Sequence, residues 1–143
     1  MLDRKGLNVI TANKIEEAKV LCQGDTPVDL AIVDLNLPDG DGIEFMTYLK
    51  SLTPSTEVII LTGHATIESA IRATQKGAFH FVTKPFNLEE LMSLIEKALT
   101  HKKLQQENQQ LRSELNKKYK FDQIIGSSDQ IQNVLRMIER VAD

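Results

Sequence analysis

Apolar positions along this chain fall into two alternating patterns. Short apolar runs closed by Gly, Pro or charged residues stand at residues 7–11, 29–34, 57–62 and 79–83. The last three are apolar at successive positions, which predicts strands buried on both faces. Between them, apolar residues recur every three or four positions. Ile15, Ala18, Leu21 and Cys22 form one such stripe, Ile43, Met46 and Leu49 a second, and Ile67, Ala70 and Ile71 a third; Leu88, Leu91, Ile95, Ala98 and Leu99 form a fourth. Each predicts a helix with one covered face. Capping boxes are expected at Asn13 with Glu16, Asp41 with Glu44 and Asn87 with Glu90. Residues 2–5 read as the last turn of a further helix, terminated by Gly6 in the left-handed region. Strands alternating with helices of about ten residues mean βαβ units and a parallel sheet. This α/β domain is expected to occupy residues 1–100.

The pattern then changes. From 101 to 118 the composition shifts to Lys, Gln, Glu and Asn with sparse leucines. Leu104, Asn108, Leu111 and Leu115 fall at d, a, d and a spacing, so the segment reads as a coiled-coil linker or as a solvated helix. Two heptads are too few to hold a dimer alone. In residues 119–143, Phe121, Ile124 and Ile125 precede Gly126, and Ser127 with Gln130 makes another capping box. The stripe Ile131, Val134, Leu135, Ile138 and Val141 needs a core that nothing after it supplies, so this segment reads as the start of a second domain.

Composition narrows the classes. The 143 residues are 41% hydrophobic and 26% charged, which is globular. A net charge of −3 presents no broad basic face to nucleic acid or an anionic membrane. The single cysteine, Cys22, allows no internal disulfide and fits a reducing cytoplasm, where it would serve as a small buried hydrophobe. No apolar run approaches the roughly 20 residues that span a bilayer, and residues 1–6 do not begin a signal peptide.

Three strands end in residues that can do chemistry: Asp34, Thr62 and Lys84. Parallel strands deliver all three to the carboxyl edge of the sheet, where ligands gather in open α/β folds. A carboxylate can attack phosphorus and form an aspartyl phosphate. A hard divalent cation such as Mg²⁺ would offset its repulsion from the phosphoryl oxygens. Lysine can neutralise one such oxygen, and threonine can donate a hydrogen bond to another. His64, His80 and His101 are too scattered to suggest a metal site.

The stretches Asp34-Leu35-Asn36-Leu37-Pro38-Asp39-Gly40-Asp41-Gly42, Leu61-Thr62-Gly63-His64-Ala65 and Phe81-Val82-Thr83-Lys84-Pro85-Phe86 resemble the receiver domain of two-component response regulators. The resemblance implies a flavodoxin-like (CheY-like) sheet of strand order 2-1-3-4-5 and a phosphoryl group taken from a sensor histidine kinase. It implies that Asp34 is the phosphoacceptor, that the Asn36 backbone carbonyl binds Mg²⁺, and that Lys84 contacts the phosphoryl group. Thr62 and Phe81 match the switch pair, and Lys84-Pro85 matches a cis peptide. The Gln- and Leu-rich linker and Phe121-Asp122-Gln123-Ile124-Ile125-Gly126-Ser127-Ser128 are similar to NtrC-type regulators, in which a receiver precedes a sigma-54-activating ATPase of the AAA+ class. The resemblance thus implies a homodimer and attached ATPase and DNA-binding domains. The phosphate loop G-x-x-x-x-G-K-[ST] does not occur in this sequence, so the chain itself is not expected to be an ATPase or to contact nucleic acid.

One departure stands out. The family opens with a strand ending in an acidic pair that supplies most metal ligands, followed by a first helix. Residues 1–6 match only the tail of that helix, so the expected metal site is incomplete. A fragment or a mis-started reading frame of an ordinary receiver is the favoured explanation over a natural truncation, because Asp34, Thr62 and Lys84 all remain. The alternative is a phosphorylation-incompetent dimerisation and linker module. A haloacid-dehalogenase-like enzyme would want an acid two residues after the nucleophile, and that position is Asn36.

Overall fold

The computed structural model describes residues 6–141, with side chains through residue 120. The chain divides into two compact units, residues 1–103 and 104–143. In chain order the elements are α1 (Ile15–Cys22), β1 (Leu30–Asp34), β2 (Asn36–Leu37), β3 (Gly40–Asp41), α2 (Gly42–Leu52), β4 (Glu57–Thr62), α3 (Ile67–Gln75), β5 (His80–Thr83) and α4 (Leu88–Val141). Strands β1, β4 and β5 form a parallel sheet in that order, and β2 and β3 form a small antiparallel ribbon.

The central strand β4 is covered on both faces because it is apolar at successive positions. By contrast, β1 buries only Val33 and leaves Ile32 exposed, and β5 buries only Val82, so the expectation of strands buried on both faces holds for β4 alone. Val33, Val58 and Ile60 point to one side, where they pack with Ile15 of α1 and with Ile43, Phe45, Met46 and Leu49 of α2. Ile59 and Val82 point to the other, against Leu91 and Ile95 of α4. Fully burying one such side chain contributes roughly 1.5–3 kcal/mol. These two layers fix the strand ends that carry the candidate site. Cys22 packs against the first layer, and burial pushes its thiol pKa up.

The opposite, amino-terminal edge of the sheet holds the root of the long helix. His101 Nδ1 lies 2.6 Å from Oε1 of the buried Glu57, and Lys102 Nζ lies 2.7 Å from Asp29 Oδ1. The His101 ring also stacks near Phe79, with centroids 5.5 Å apart. In the second unit Leu104, Leu111 and Leu115 are exposed on a single copy of the chain. Among the described residues, no helix is long and apolar enough to cross a membrane.

Four further expectations are corrected. Residues 7–11 form no strand: none of the described strands pairs with them, and Val9 and Ile10 stand exposed. A strand depends on a neighbour for its backbone hydrogen bonds, so apolar pattern alone does not make one. Accordingly, the described sheet has three strands rather than the four expected. Helix α1 is not capped by Asn13; its N-cap is Lys14, without a side-chain hydrogen bond. Finally, α4 continues through Gly126 and Ser127, where a turn and a capping box were expected. A glycine inside a helix costs only about 1 kcal/mol, which helix-forming neighbours can absorb. The stripe from Ile131 to Val141 lies outside the residues whose side chains are described.

Candidate functional site

Asp34, Thr62 and Lys84 meet at the carboxyl edge of the sheet because the strand registers align them. Asp34 sits opposite Leu61, and Thr62 opposite Thr83. The ladder continues past the strand ends: Leu35 N–H donates to Leu61 O at 2.7 Å, and Lys84 N–H donates to Thr62 O at 2.7 Å. These bonds hold the backbones of the three residues side by side at one edge of the sheet. Lys84-Pro85 is cis, as the motif implied.

The Lys84 ammonium is ion-paired with Asp34 Oδ2. Asp34 Oδ1 accepts from Asn36 N–H at 3.0 Å. Burial raises the Asp34 pKa, but the Lys84 hydrogen bond, the Asn36 amide and the Lys84 charge together outweigh it and hold the carboxyl below its usual range. The group is therefore an anion at neutral pH, the form that attacks phosphorus. Thr62 is fully buried, and its hydroxyl is turned to its own loop. It donates to His64 O at 3.1 Å and accepts from His64 N–H at 3.2 Å. Phe81 is half-buried and packs against the layer that contains Ala73 of α3. Asn36 lies in β2 opposite Asp41, so the segment after Asp34 folds back as a ribbon rather than an open loop.

That ribbon is fastened at three points. Gly42 N–H donates to Leu35 O at 2.8 Å, and its Cα lies so close to Asp34 that a Cβ would meet the Asp34 carbonyl oxygen at 2.1 Å. Asp41 Oδ1 accepts from Ile43 N–H at 2.7 Å and caps α2, as expected. Asp39, which read as a turn residue, reaches across 24 positions to cap α1. Its two oxygens accept from Ile15 N–H at 2.9 Å and Glu16 N–H at 3.2 Å. The Ile15 and Glu16 amides lower its pKa, with Lys14 assisting. A contact so distant in sequence leaves no local signal.

The donor set falls short of a Mg²⁺ site. Mg²⁺ wants near-octahedral oxygen ligation with anionic donors. No group of three or more His, Cys, Asp or Glu among the described residues can hold a metal. Asp34 supplies one carboxylate at this edge, already matched by Lys84. Asp39 serves α1, while Asp41 serves α2 and pairs with Arg72.

A parallel sheet with aspartate, threonine and lysine at the ends of its three strands, and an acidic ribbon behind the aspartate, has the arrangement expected of a receiver domain. Residues 1–96 match the response regulator receiver domain, and the chain belongs to that family. The DNA-binding transcriptional regulator NtrC of Escherichia coli strain K12 is 34% identical over 138 residues, covering 96% of this chain and 28% of that protein. NtrX from Brucella abortus superposes with a TM-score of 0.71 at 31% identity, over 78% of this chain and 26% of that one. A response regulator from Burkholderia pseudomallei, solved with a phosphorylated aspartic acid, a calcium ion and citrate, gives a TM-score of 0.61 at 28% identity, over 73% and 61%. This chain spans about a quarter of the length of the curated relatives it matches.

Proposed function

We propose that this chain is the receiver of an NtrC-type regulator and that Asp34 accepts a phosphoryl group from a sensor histidine kinase. The observation that carries this is the Lys84 ammonium, beyond the end of β5, held on the Asp34 carboxylate at the end of β1, across the end of β4 that lies between them. In the transfer, an Asp34 oxygen bonds to phosphorus as the bond from phosphorus to the kinase histidine nitrogen breaks. The electron pair of that bond returns to the imidazole. Lys84 then turns from the carboxylate to a phosphoryl oxygen, keeping the new charge matched. The Thr62 hydroxyl leaves His64 to donate to a second oxygen, and Phe81 follows into the space vacated.

The output is a change in the partners of an attached sigma-54-activating ATPase, and through it in transcription of DNA bound by a further domain. NtrC of E. coli, which bears the name of a DNA-binding transcriptional regulator, supports this assignment. The chain acts as a phosphoacceptor in the cytoplasm and not as an ATPase, and its exposed Leu104, Leu111 and Leu115 seam joins two copies.

A second reading is favoured by the short donor set: the chain works as a phosphate-independent dimerisation and linker module. Transfer from a phosphorylated histidine-kinase domain separates the two. Label passing to the wild-type chain and not to Asp34→Asn supports the receiver. Label passing to neither, with a dimer by sedimentation, supports the linker module.

A further inference from the structure

Helix α3 has well-made ends and a weak seat. Thr66 and Ser69 form a reciprocal capping box, and Gly77, at φ +95, turns the chain after the last turn. Yet of the nine residues only Ala73 is buried, while Ile67 and Ile71 are 83% and 52% exposed. A surface helix is normally held by an apolar stripe facing the core, and here most of that stripe stands in solvent.

What α3 has instead is an ionic contact. The Arg72 guanidinium pairs with Asp41 Oδ2, 31 positions away. The pair lies across an open groove of about 360 Å³ between α2 and α3, also lined by Ile43, Glu44, Thr47 and Lys76. Asp41 is no ordinary surface acid, because its other oxygen caps α2 and it adjoins Gly42, which rests on the Asp34 carbonyl. One carboxylate thus joins the ribbon behind Asp34, the start of α2 and the outer side of α3.

We infer that Arg72 is a positioning residue, and that its pair with Asp41 sets how often α3 lifts from the sheet. Its regulatory meaning rests on the receiver reading, since α3 follows the strand that carries Thr62; the tether itself belongs to the resting chain. A half-exposed ion pair does little for global stability. Local opening of a helix seated on one alanine is a much smaller free energy, and it responds to such a contact. Lys76 and Glu44 share the groove, but lysine lacks the planar fork that lets arginine grip a carboxylate.

Amide hydrogen exchange on the full 143-residue chain tests this. The set is wild type, Arg72→Gln, Asp41→Asn and the double variant. Asparagine caps a helix as well as aspartate does, so Asp41→Asn breaks the pair while keeping the α2 cap. The expected result is exchange about two- to fivefold faster in α3 for each single variant, with the double no faster than either single. High salt should narrow the difference from wild type. Unchanged α3 exchange in Arg72→Gln, or a double variant equal to the product of the singles, overturns the tether. Phosphorylation of Asp34 is read separately by mass. A chain that takes no phosphoryl group but keeps coupled exchange would sink the receiver reading and leave the tether standing.

Discussion

A Cβ placed on Gly42 would lie 2.1 Å from the carbonyl oxygen of Asp34 and 3.0 Å from its carbonyl carbon. The obstacle is backbone, so no rotamer change relieves it. Helix propensity favours alanine over glycine by about 1 kcal/mol, and Gly42 is the first residue of α2. The clash must exceed that gain, because either β1 or the ribbon has to move. Gly42→Ala should therefore destabilise the domain by about 1–3 kcal/mol, read as a lower urea midpoint. It should also displace the Asp34 resonances.

The Asp34–Lys84 pair carries a pH dependence of definite sign. The folded carboxyl titrates below its ordinary value of about 4. Its contribution to stability is therefore complete above the unfolded value and lost as pH falls through the folded one. Lys84→Met removes two of the lowering influences and leaves burial, which raises the pKa, opposed by the Asn36 amide alone. Carboxyl-detected NMR titration should show Asp34 moving upward in that variant.

Asp39 links the acidic ribbon to α1 through two amide hydrogen bonds. Asp39→Ala should raise amide exchange at the start of α1 and leave α2 protected, since Asp41 caps the latter. Wild-type α1 should loosen in the same way under acid, because a carboxyl with a lowered pKa loses its capping contribution as it takes up its proton. Asp39→Ala should remove that acid response.

At the other edge of the sheet, His101 and Lys102 predict unequal costs. Glu57 is 6% exposed, so His101→Ala leaves a buried carboxylate without its imidazole, at about 1–3 kcal/mol. Lys102→Ala frees Asp29, whose side chain is 66% exposed and returns to water. The histidine variant should thus unfold at lower urea than the lysine variant. Glu57→Met, which removes the buried carboxylate itself, should make the cost of His101→Ala smaller than it is in the wild-type background.

What the sequence could convey followed from where the information lies. Residues 57–62 are apolar on both faces, and the strand Glu57–Thr62 forms over that same span. Asp34, Thr62 and Lys84 were placeable because parallel strands put their ends at one edge, and the first and last of them form an ion pair. Asp41 was recognisable as a cap because its partner, Ile43, is two residues away. Asp39 was not, because its partners are two dozen residues away on another helix. The Arg72–Asp41 pair was hidden for the same reason. Residues 7–11 carry a strand's composition but have no described strand to pair with, and pairing, unlike composition, is a property of the whole sheet.

Whether Asp34 receives a phosphoryl group can be read by intact-mass spectrometry of the full chain after incubation with acetyl phosphate in Mg²⁺-containing buffer. This needs no matched kinase. The expected result is a mass increase of one phosphoryl group that is absent in Asp34→Asn, reduced in Lys84→Met and lost on mild alkaline treatment, as an acyl phosphate is. An unmodified wild-type chain under conditions that label another receiver, or an adduct that persists in Asp34→Asn, would contradict it.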